Sequence, residues 1–204
     1  MRTALKEWAV VVDALGTGAQ ILILRKGGIH DTAGGFQMDH PEFCLFPTAF
    51  HQQRESVIAL AQERFDRSAI SANGDSQIRI EYFARVADWR RLNSLATAEC
   101  LRGQHIWRDE VIAQRFEWGR EKTIHAVVLR VFRLPAPMLI PSLSKYAGCK
   151  SWLELDEEVP TSGTEPVLSD EAFEGKLRLF RRALDDDTSF CASGTSSLPQ
   201  ETVR

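Results

Sequence analysis

The chain predicts a mixed α+β domain. Its strand-like apolar runs follow the order helix, strand, strand, helix, strand, short helices, strand, strand. The runs are not separated by regularly spaced long helices, which argues against a doubly wound parallel sheet. A length of 204 residues suits one sizeable core with appendages.

Thr3 to Leu15 sets Leu5, Trp8, Val12 and Leu15 at helical spacing and predicts an amphipathic helix, which Gly16-Thr17-Gly18 ends. Ile21 to Leu24 reads as a short, fully apolar strand. Arg25 to His40 is then a glycine-containing loop, and Glu42 to Phe46 a second apolar strand. Thr48 is placed to cap a helix running through Phe65, with Val57, Leu60, Ala61 and Phe65 on one face. Gln77 to Val86 alternates as a half-buried strand. Ser94 to Leu101 and Arg108 to Phe116 read as short helices. Thr123 to Leu134 is the strongest strand signal, and the Pro-rich stretch after it should break it. Ser151 to Leu155 supplies the last strand. Residues 1–155 are therefore expected to form one compact domain. Residues 156–168, acidic with Pro160, Gly163 and Pro166, read as a linker. Residues 169–184 read as a C-terminal helix with Leu177, Phe180 and Leu184 along an outer face, and 185–204 as a disordered tail.

No run approaches the roughly 20 apolar residues of a membrane span, and Lys6, Glu7 and Asp13 interrupt the N-terminal apolar stretch, against a secretory signal. A cytoplasmic, bacterial-type protein without membrane attachment is expected. Cys44, Cys100, Cys149 and Cys191 form no closely spaced pair, so a zinc–cysteine site is not indicated and reduced thiols are expected. Residues 1–155 hold 20 Lys+Arg against 17 Asp+Glu, whereas 156–204 hold 5 against 11. Arginine outnumbers lysine 19 to 6. Guanidinium forks match phosphate oxygens, so the basic, arginine-rich body fits phosphate contact, with surface salt bridges as the plainer alternative.

The runs ALKEWAVVVDAL, ILILRKGGI, FPTxxHQ, IWxxxxxxxRFxW, LRVFRLPxP and GCKSWLEL together resemble the uncharacterised bacterial domain of unknown function 1802 family, over about residues 3–155. That resemblance implies a link to restriction or defence systems and hence to nucleic acid. The opening EWAVVVDALGTGAQILILRK is also similar in pattern to PUA-like and ASCH domains, small barrels that bind RNA or modified bases. This implies a partly barrel-like sheet with flanking helices. Leu24 stands where the ASCH strand has its glutamate, so no catalytic role carries over.

Candidate chemistry concentrates between Arg25 and Gln52. Arg25-Lys26-Gly27-Gly28 closes a strand, where glycines admit backbone N–H groups to an anion that Arg and Lys neutralise. The spacing is not that of a P-loop. His51 and Gln52 are expected to line the same pocket. Trp107, Arg115 and Trp118 mix aromatic and cationic groups suited to base stacking. His30, His40, Glu42 and His51 are metal-ligand types without a metal-site spacing, so no metal and no cofactor is assigned. The leading reading is recognition of nucleic acid, RNA or DNA, or of a nucleotide-like anion. The alternatives are a small hydrolase using His51 as acid–base with Lys26 or Glu42, and an interaction subunit whose protein partner supplies the chemistry.

Overall fold

A computed structural model describes residues 1–26, 30–32, 35–37, 40–49, 52–73, 77–148 and 150–185. The fold is α+β, built on a curled, mixed half-barrel sheet. The first departure from the sequence reading comes at once. Thr3–Trp8 is a strand, β1, and only Ala9–Gly16 is a helix, α1. β1 pairs in parallel with β5 (Glu42–Thr48), from Ala4 opposite Cys44 to Trp8 opposite Thr48. On its other side it pairs antiparallel with β8 (Trp152–Glu154). Two long-range pairings outweigh a local spacing that suits helix and strand alike. α1 is buried at every position except Asp13, so it runs as a central helix rather than an amphipathic surface one.

β2 (Leu22–Arg25) pairs with β7 (Ile124–Pro141), and β7 with β6 (Gln77–Leu92), which meets β5. The main path is therefore β2-β7-β6-β5-β1-β8. A small hairpin of β3 (His30–Thr32) and β4 (Gly35–Gln37) stands apart from this sheet, inside the stretch expected to be loop. The prolines after Leu134 do not break β7. Ile80 faces Met138 while Tyr82 faces Arg133, so residues 134–137 bulge opposite Glu81 alone. Pro135 and Pro137 sit in that bulge, where a missing N–H costs no ladder bond.

Thr48 ends β5 and caps no helix. Two single 3₁₀ turns (Arg54–Ser56 and Ala59–Ala61) precede α2 (Gln62–Asn73), and Leu60 is 93% exposed. Here the chain bonds to a distant segment instead, Ile58 N–H donating to Ile106 O at 2.9 Å and Arg108 N–H to Ser56 O at 3.1 Å. α3 (Leu95–Glu99) starts at Ser94, whose Oγ accepts from Thr97 N–H at 3.0 Å, and α4 covers Asp109–Glu117. The acidic stretch 156–168 lies against the body. Val159 is buried, and β9 (Glu165–Pro166) pairs with Phe132 and Arg133 of β7. α5 (Asp170–Asp185) turns Phe173, Leu177 and Phe180 into the core instead of outward. Ion pairs Arg130–Asp170 (2.6 Å) and Arg181–Asp88 (2.7 Å) pin it. The tail from residue 186 lies outside the described residues.

The main core gathers Leu5, Phe43, Leu45, α1 and the buried faces of α4 and α5. A second cluster, with Ala4, Cys44, Phe46, Ile80, Phe83 and Tyr146, fills the opposite face of β1 and β5. Burial pushes the Cys44 thiol up to about 12, which leaves it inert packing. Cys100 is disulfide-bonded, against the expectation of reduced thiols. Among the described residues no helix is long and apolar enough to cross a membrane.

Gly18 makes the turn from α1 toward β2 with φ 69°, and a Cβ there would lie 2.5 Å from Leu168 Cδ2. Gly18→Ala should therefore lower unfolding stability by about 1–2 kcal/mol from the left-handed backbone alone, with more from the contact. A urea titration showing an unchanged midpoint would refute this.

Candidate functional site

Two glutamines, Gln20 buried and Gln52 half-buried, and one carboxylate set the site's frame. Gln20 is 1% exposed; its Nε2 donates to Leu22 O at 2.8 Å and its Oε1 accepts from Ile106 N–H at 3.1 Å. This locks the segment carrying His105 and Trp107 onto the start of β2. Gln52 Oε1 accepts from Val10 N–H at 3.1 Å, occupying an orphan donor of the first turn of α1. Its Nε2 is buried with no acceptor. Glu7, at the end of β1, takes Trp8 N–H on Oε1 at 2.9 Å and Arg25 on Oε2 at 3.0 Å.

Arg25 links the two extremes of the sheet order. From β2 its guanidinium donates to Lys6 O (2.9 Å) and Glu7 on β1, and to Ser151 Oγ (2.9 Å) next to β8. The Arg25 and Glu7 side chains are only 14% and 10% exposed. Lys26 turns the other way and caps α4, its Nζ donating to Phe116 O (3.0 Å), Thr123 O (3.0 Å) and Glu121 O. Three acceptors use all three ammonium protons, so Lys26 offers a ligand its charge and no further hydrogen bond. Burial, then the charge of Lys122, lowers its pKa.

Arg115, on the last turn of α4, lies over the Trp107 ring at 4.0 Å and the Trp8 ring at 5.9 Å. The two indoles meet edge to face at 4.8 Å. Its NH1 donates to Leu24 O at 3.0 Å. Desolvation pushes its pKa down to about 10, helped by Arg25 and opposed by Glu7, so it stays charged at neutral pH. The structure thus brings Arg25, Arg115, Trp107 and Gln52 to the junction of β1, β2, α1 and α4. Trp118 is at the end of α4 and 71% exposed. Glu42 is elsewhere: it shares its face of β5 with Cys44 and pairs with Arg85 at 2.7 Å, on the side opposite Phe43. Gly27, Gly28 and His51 lie outside the described residues.

Glu7, Gln20 and His105 were not singled out as site residues from sequence. A carboxylate and a lone glutamine, each just before an apolar run, were the available signals for the first two. His105 is 5% exposed, and its Nδ1 accepts from Trp107 N–H at 3.2 Å. Desolvation, and then the charge of Arg115, depresses its pKa to about 4.

These features define a mixed α+β domain whose curled sheet carries a cationic, aromatic junction. The chain belongs to the family described as Domain of unknown function (DUF1802), whose family model matches residues 4–178. That span takes in β9 and half of α5 as well as the body. No curated protein and no solved structure matches the chain.

The depressed pKa of His105 has a testable sign. Above about 6.5 the imidazole is neutral in both states and adds no pH dependence. Between 6.5 and about 4 the unfolded chain binds a proton that the folded chain refuses. Stability is therefore lost as pH falls through that window, by ~3 kcal/mol at about 1.4 kcal/mol per unit. His105→Asn keeps an acceptor for Trp107 N–H without the titration. Urea unfolding at pH 7 and pH 5 should show a smaller acid loss in the variant; equal losses would refute the assignment.

Proposed function

We propose that this domain recognises a nucleotide-like anion, the phosphate of a nucleotide or nucleic acid, at the junction of β2 and α4. Charge imbalance carries the reading. Among the described residues, Arg25, Lys26, Arg91, Arg115, Arg120 and Lys122 gather there with the carboxylates Glu7, Glu117 and Glu121. The chain as a whole has a formal net charge of −3, so the surplus is local. Glu7 is held by Arg25 and reaches Arg115 only through space, so among the described residues Arg115 has no carboxylate partner in a desolvated setting that makes its charge costly and an anion favourable. The outer pairs, Arg91–Glu121 (3.2 Å) and Lys122–Glu117 (2.8 Å), are solvent-exposed and worth little, so their cations exchange readily onto a ligand. Trp107, expected to stack a base, is 2% exposed and instead braces Arg115 from within the core. This role fits the restriction or defence setting that the sequence resemblance implies.

Fluorescence anisotropy with labelled RNA and DNA oligonucleotides across a salt series tests the reading. Three phosphate contacts predict a slope of log K against log salt of about −2 for a single strand. The combined Arg91→Gln, Arg120→Gln, Lys122→Gln variant should flatten that slope and weaken binding across all sequences. Absence of salt-sensitive binding to any RNA, DNA or nucleotide would overturn it.

A further inference from the structure

The geometry points to single-stranded nucleic acid as the ligand, with Trp118 as an external platform on which an unpaired base stacks. The inference rests on the anion reading above and narrows it. Among the described residues Trp118 is the one aromatic in the set of exposed large apolar side chains, at 71% exposure. It follows Arg115 by three residues at the close of α4, so the two side chains leave neighbouring points of one helical turn. Gly119, with φ 78°, turns the chain immediately afterwards. The turn brings Arg120 and Lys122 next, and Glu121, whose carboxylate Arg91 reaches at 3.2 Å. An indole left in water thus stands beside the cations Arg115, Arg120 and Lys122.

A protein-docking patch would join this indole to other apolar residues. Here its chain neighbours are Glu117, Gly119, Arg120, Glu121 and Lys122, and Arg115, Lys26 and Arg91, which reach the same turn, tip the charge positive. That complements a phosphate backbone better than an apolar partner. A free nucleotide has one base for the Trp118 face and a single phosphate group beside it. A strand puts a base on the indole and runs its neighbouring phosphates along the exposed Arg120 and Lys122. A duplex would have to unstack to do so, whereas every base of a single strand offers a free π-face.

The test measures affinity for an eight-nucleotide oligo(dT), an oligo(rU) of equal length, a duplex and AMP, with native protein, Trp118→Ala and Trp118→Phe. An exposed side chain adds little to folding, so thermal midpoints should stay within a degree or so of native. The expected result is preference for the single strands over duplex and AMP, a five- to hundredfold loss in Trp118→Ala from one lost stack, and recovery in Trp118→Phe. Oligonucleotide binding that Trp118→Ala leaves unchanged overturns the platform and leaves the anion reading standing. So does equal affinity for AMP and oligo(dT). If sedimentation shows native protein self-associating through Trp118 while oligonucleotide affinity ignores the substitution, the indole is a protein contact and the inference fails. No binding of any probe overturns both readings.

Discussion

The Arg25–Glu7 ion pair is the contact on which the remaining architecture depends. A half-barrel leaves its first and last strands without a hydrogen-bonded partner across the gap, and strand pairing alone gives β2 and β1 no reason to face each other. Arg25 crosses that gap to Lys6 O, the Glu7 carboxylate and Ser151 Oγ, so one side chain clasps β2 to both β1 and the approach to β8. Burying such a pair is costly unless the remaining lone pairs and protons are used. Glu7 uses its second oxygen on Trp8 N–H, where β1 turns into α1. The clasp therefore also marks the strand-to-helix switch.

The candidate site follows from the clasp. Glu7 is committed to Arg25, so Arg115, drawn close by α4, finds no carboxylate of its own and rests on two indoles. Its position is fixed from three directions. Gln20 holds the Ile106–Trp107 backbone, Lys26 holds the end of α4, and Leu24 O takes one guanidinium hydrogen bond. A charge pre-positioned in this way offers a ligand compensation without reorganisation. His105 shows the same field from the other side, its proton affinity suppressed by burial and by Arg115. Lys26 changes role in this frame, from an expected phosphate ligand to a helix cap that contributes charge at a distance.

The α+β class, the strands at 21–24, 42–46 and 77–86 and the helix at 108–116 were legible in the residue pattern. Three features were not, each for a physical reason. Leu5 and Trp8 fit a helix face as well as a strand, and only parallel pairing with β5 decides between them. Pro135 and Pro137 read as a stop because the wide bulge that shelters them depends on register with β6. The acidic 156–168 stretch reads as a linker because composition does not reveal that Val159 and β9 are held by distant backbone. Within the site, Glu7 and Gln20 escaped notice because a buried polar residue looks like any other until its partners, 18 and 86 positions away, are in place.

The central claim is that Arg25 and Glu7 stabilise each other across the open side of the sheet rather than each serving its own strand. A double-mutant cycle of Glu7→Gln, Arg25→Met and the pair, followed by urea unfolding at neutral pH, measures that directly. Each single change should cost about 3–5 kcal/mol by stranding a buried partner, and the double should cost well below their sum, with a coupling of at least about 1.5 kcal/mol. Costs that add within about 0.5 kcal/mol would show that the two residues do not act as one clasp, and the account built on it would fail.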